Sequence, residues 1–156
     1  MAHAHTKTSR RPRAGHALLE GTLSSPLLQF DLGKEIEHLH QEESWLQAAG
    51  RSSKTLVKHR DLRIVLIAMK ANALMHEHKA TARISVQTIR GHVQLRLPNR
   101  TVELPAGHLL ALDQCVPHDV AAVEDSAFLL TLSWPPEAEI QACKTHGKTK
   151  TRHNGK

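Results

Sequence analysis

Apolar residues recur along this chain with two different periods. Between residues 32 and 46, Ile36, Leu39, Glu43 and Leu46 share one side of a helical wheel, with Leu32 and Trp45 near its edge. That spacing predicts a moderately amphipathic helix over 34–46, with Asp31 able to cap its start and Gly50 to stop it. From residue 55 onward the period shortens to two. Thr55-Leu56-Val57 reads as a strand and 62–69 as a buried strand rich in branched residues. The runs 84–89, 93–97, 102–104, 109–112, 120–123 and 127–134 follow, parted by turn signals at Arg90-Gly91, Pro98-Asn99 and Pro105-Ala106-Gly107. Seven or eight short strands with such turns predict a closed or sandwiched all-β domain.

The remaining stretches order themselves around this block. Residues 1–21 are polar and basic, 22–54 hold an apolar arm (23–30), the helix and a polar linker at 51–54, the β domain runs 55–136, and 137–156 form a second basic tail. At 156 residues the chain is long enough to bury one core. Its formal charge of +6 belongs to the ends. Nine basic residues and no acid lie in 1–16 and 141–156, leaving 12 basic against 15 acidic residues between them. Such tails read as solvated and disordered, so no specific nucleic acid is expected as a partner.

Phe30, Trp45, Phe128 and Trp134 are the only aromatic residues of the Phe, Tyr and Trp classes, too few for base-stacking platforms. Two cysteines, Cys115 and Cys143, make no framework and read as free thiols in a reducing compartment. No apolar run approaches a membrane span, and no apolar segment follows the basic N-terminus as a secretory signal would require. A cytoplasmic protein without a membrane partner is expected.

The chemistry concentrates at Met75-His76-Glu77-His78. Histidines two apart share a face on a strand and diverge on a helix, so His38 and His40 on the predicted helix cannot chelate one ion together. Downstream, Pro117-His118 lies in a second apolar run, and a barrel could bring His118 beside the pair. This order resembles the cupin superfamily, in which a first motif carries His-x-His and closes on a glycine, and a second opens on a glycine and carries a lone histidine. His76, His78, Gly91, Gly107 and His118 stand at the matching places. The family's metal-binding glutamate falls on Ala82, Arg83 or Ile84, and the Pro, Gly and Asn slots of the second motif hold Asp113, Cys115 and Ala122.

The resemblance implies a small cupin-like β-barrel (a double-stranded β-helix or jelly roll) with an N-terminal helix packed on its outside or on a partner. It also implies a three-histidine site of His76, His78 and His118, able to hold a divalent metal such as Fe, Ni, Cu or Zn. With no carboxylate and with Arg83 nearby, such a metal would be weakly held. The pocket would be lined by Val86, Thr88, Leu110 and Leu112. Two function classes follow: a small-molecule-binding module, and a metal-dependent oxygenase or isomerase. Asp113 and Glu103 are candidate bases, Cys115 a candidate thiolate, Glu77 and Asp119 are expected to point out of the barrel, and His92 and His108 to be exposed. The strand at 62–69 is apolar on both faces apart from Arg63, and with the arm it argues for a homodimer.

Overall fold

The computed structural model describes residues 25–47 and 50–134. Among these described residues, two helices, α1 (Leu32–Gln41) and α2 (Glu43–Leu46), precede nine strands: β1 (Arg51–Lys58), β2 (Leu62–Met69), β3 (Leu74–His78), β4 (Arg83–Arg90), β5 (His92–Leu97), β6 (Arg100–Pro105), β7 (Leu109–Leu112), β8 (His118–Ala122) and β9 (Ser126–Ser133). They form two antiparallel sheets, ordered β1-β2-β9-β4-β7 and β3-β8-β5-β6. The all-β architecture with an N-terminal helix is therefore as expected.

Between the sheets lies the main core. Ile67 and Met69 of β2, Ile84 and Val86 of β4, Val93 and Leu95 of β5, Val120 and Ala122 of β8, and Phe128 of β9 are all buried there. Alternation along each strand produces this directly, since every second side chain points inward. Val86, Leu110 and Leu112, expected to line a pocket, are part of this packed interior.

The helices cover the outer face of the five-stranded sheet. Asp31 accepts a hydrogen bond from the Lys34 N–H and caps α1. Ile36, Leu39 and Trp45 bury themselves against Leu66, Ala68 and Ala127 in a second apolar cluster. The two apolar faces of β2 are thus both used within one chain: Ile67 and Met69 face the main core, Leu66 and Ala68 the helix. The apolar surface on β2 that argued for a partner copy has its cover here. Three carboxylates fasten the cover to the sheet. Glu35 pairs with Lys54 at 2.6 Å, Glu37 with Arg90 at 2.6 Å, and Glu42 accepts the Ser52 hydroxyl.

Three expectations are corrected. The helix read as continuous breaks at Glu42, whose backbone is extended because its side chain turns to the buried Ser52. Residues 51–54, read as a linker, form the first half of β1; an edge strand needs apolar residues on one face only, and Ser52 there is satisfied by Glu42. Residues 25–30 of the arm run without regular secondary structure, and Leu27 is exposed. Cys115 is disulfide-bonded, so the free-thiol reading and its argument for a reducing compartment do not hold. Cys143, the two basic tails, Leu23 and the short helix expected from Glu137 lie outside the described residues. Among the described residues, no helix is long and apolar enough to cross a membrane.

The two seams where the sheets meet differ. On the β6–β7 side Thr88 of β4 stitches them: its hydroxyl donates to the Leu104 carbonyl at 2.9 Å, and its carbonyl accepts the Gly107 N–H at 2.9 Å. On the other side, among the described residues, β1 and β3 are both edges with no ladder between them, and the seam opens into a cleft.

Candidate functional site

Strands β3 and β8 pair so that His78 stands opposite His118. Their ring centroids are 4.4 Å apart, tilted by 57°. Each ring is held by its own backbone: His118 Nδ1 lies 2.9 Å from the Val116 carbonyl, and His78 Nδ1 lies 2.9 Å from that of His76. A carbonyl can only accept, so each neutral ring carries its proton on Nδ1 and presents Nε2 as a lone pair. His118 is buried and His78 exposed. The pair thus offers two fixed acceptors at one end of the four-stranded sheet.

His76 does not join them as a third member. The register shifts between Met75 and His78, an irregularity that breaks strict alternation, so two residues of spacing no longer guarantee a shared face. Among the described residues no three His, Cys, Asp or Glu side chains gather as a metal site requires. Two imidazoles without a carboxylate do not fit a resident divalent cation, which needs at least three protein donors. Of the slots where the glutamate is sought, Ala82 and Ile84 are core residues and Arg83 pairs with Asp113 at 3.1 Å.

Burial, chiefly, holds the His118 imidazole below its ordinary pKa of 6.5, and His78 beside it pushes the same way; the Val116 carbonyl and Asp119 oppose them. On acidification the unfolded chain takes up this proton before the folded one. His118 therefore leaves stability undiminished above the ordinary value and erodes it as pH falls below about 6.5. Urea titrations at successive pH values between about 7.5 and 5 should show a shallower loss in His118→Gln than in the wild type. Equal slopes would mean that His118 does not titrate in the buried setting described.

The other candidates sit elsewhere. Asp113 is exposed, and the Gln114 N–H and Arg83 hold its carboxyl below the usual range, which makes it a poor base. Glu103 accepts from the Gln94 amide at 2.8 Å and lies 2.6 Å from His92 Nε2, so His92 is paired and only partly exposed, contrary to expectation. Asp119 faces Arg96 at 3.8 Å. His108 and Glu77 are exposed. His40 stacks on Trp45 with centroids 4.2 Å apart, a structural use of a helix histidine. Thr88, expected in the pocket wall, spends its hydroxyl on Leu104.

The open seam holds what the sequence did not announce. Glu42, Ser44 and Gln47 from the helical cover, Arg51, Ser52 and Ser53 from β1, Ile67 from β2 and Met75 from β3 line a cleft of about 360 Å³. No motif marks these residues; only the fold of the helix over the edge strand assembles them.

Solved structures share this arrangement. A cupin-2 domain containing protein from Shewanella frigidimarina superposes with a TM-score of 0.55 at 13% identity, covering 67% of this chain and 93% of that one. The chain has the cupin fold. A cupin superfamily protein from Desulfitobacterium hafniense gives a TM-score of 0.53 at 13% identity, over 55% of this chain and 78% of that one. A conserved protein of unknown function from Streptococcus pyogenes gives 0.54 at 22% identity, over 58% and 79%. No protein-family model and no curated protein matches the sequence. At these identities the likeness carries the cupin barrel alone.

Proposed function

We propose that this protein is a small-molecule-binding module built on a cupin barrel, with a ligand held at the His78–His118 pair. The observation that carries the reading is the locking of both Nδ1 atoms onto backbone carbonyls. Such locking presents two Nε2 lone pairs in a fixed relation, and preorganised acceptors cost little to order on binding. They suit a ligand with hydroxyl or N–H donors. The lowered pKa of His118 keeps that ring a neutral acceptor. No catalytic step is assigned, because neither Asp113 nor Glu103 is free to serve as a base beside the pair.

Ligand-observed NMR with a fragment set of small alcohols, diols and amides tests this. Fragments that bind the wild type should be lost in His78→Ala/His118→Ala, and the imidazole signals of both residues should move on addition. Retention of every hit in the double variant would sink the proposal.

A further inference from the structure

We propose that the open seam between β1 and β3 binds a small zwitterion with an apolar side chain, the chemistry of a free aliphatic α-amino acid. This reading stands apart from the histidine pair, whose residues do not line the cleft. The volume of about 360 Å³ falls within the range of small-ligand sites. The floor is apolar: Ile67 belongs to the main core and Met75 packs against it. The walls are polar, with the hydroxyls of Ser44 and Ser53 and the amide of Gln47.

Charge decides the ligand class. Lys54, Arg83, Arg90 and Arg96 each lie against a carboxylate. The side chain of Arg51, at the rim of the cleft, makes no ion pair or hydrogen bond with any described residue. Its planar guanidinium is suited to take a carboxylate in two parallel bonds. Glu42 faces the same cleft. Its Oε2 accepts from the hydroxyls of Ser52 and Ser44, which fixes the carboxylate, while Oε1 accepts from no described group. The two opposite charges line one cavity without pairing with each other. A simple anion bound to Arg51 would meet Glu42, and a simple amine bound to Glu42 would meet Arg51. A molecule carrying both charges satisfies both, and its aliphatic part then rests on Ile67 and Met75.

Calorimetric titration of the full chain with leucine, 4-methylpentanoate and 3-methylbutylamine tests the inference. Leucine should bind saturably at one site, and each singly charged analogue at least about tenfold more weakly, since each loses one charged contact. Arg51→Gln and Glu42→Gln should each weaken leucine by about tenfold or more. Both are expected to fold, because Arg51 is exposed on an edge strand and the amide oxygen introduced by Glu42→Gln still accepts from Ser52; should Glu42→Gln unfold, Arg51→Gln alone decides. The imidazole signals of His78 and His118 should stay in place on leucine addition, so this site and the histidine site stand or fall separately. The inference is overturned if leucine gives no saturable binding, if 4-methylpentanoate binds as tightly as leucine, or if Arg51→Gln binds it unchanged.

Discussion

Gly91→Ala is expected to cost the barrel about 3 kcal/mol or more, from left-handed backbone strain and forced overpacking together. Gly91 turns β4 into β5 with φ at +73°, a conformation that disfavours any Cβ. The added methyl would fall against the Asp125 carbonyl, 2.5 Å from Ser126 Oγ and 2.8 Å from Ser126 Cα. Neither neighbour can retreat easily. Ser126 is buried, its Oγ accepts the His92 N–H at 2.9 Å, and it reaches the Glu124 carbonyl at 2.7 Å. Gly107 is the internal control: its φ is +85°, yet no described atom lies within 4 Å of a Cβ there. Gly107→Ala should therefore cost only the conformational part, about 1–2 kcal/mol. Urea unfolding of the two variants reads the comparison, with a lower midpoint at unchanged slope for Gly91→Ala. Equal losses at both positions would remove the steric argument.

Trp45→Ala should cost about 3–5 kcal/mol, the usual range for emptying a large aromatic from a core. Trp45 closes the second apolar cluster over Leu66, Ala68 and Ala127, stacks on His40, and has the Lys70 Nζ 5.6 Å from its ring centre. Its loss leaves a void under a helix of one turn, which cannot collapse onto the sheet without moving α1 as well. The strands keep their register, so the effect is on the cover and not the barrel. Loosening that cover exposes the outer apolar face of β2, and light scattering should then show a higher mass than the wild type at equal concentration. A loss under about 1 kcal/mol would mean that the tryptophan is not seated as described.

Period-two alternation made an all-β domain legible in the sequence, the resemblance to cupins implied its barrel, and Gly91 and Gly107 announced their turns through residue type alone. The nearness of His118 to His78 was implied by the resemblance to cupins, and their pairing across β3 and β8 came from the fold. What stayed hidden depended on contacts distant in sequence. Glu42 reads as one more helical carboxylate until Ser52 is seen to draw it out of the helix. Arg51 to Lys54 read as a linker because an edge strand with one dry face has a weak pattern. The irregularity in β3 between Met75 and His78 was hidden too, since it leaves no mark on a His-x-His spacing. The inward and outward faces of β2 were both legible, but the identity of their covers required the position of α1. Asp31 as the cap, by contrast, was visible locally, since its bond spans three residues.

The last described strand, β9, occupies the middle of its sheet, paired along its whole length to β2 on one side and from Ala127 to Ser133 to β4 on the other. A chain still being translated holds β2 and β4 with no strand between them, and neither can complete its hydrogen bonds until residue 133 has left the ribosome. Closure is thus a late, long-range event that local turns cannot begin, the kind of order that slows folding. A nascent chain of this design has to keep its apolar strands apart until the final strand arrives, and any product cut short before β9 is left with two sticky edges and no fold to hide them.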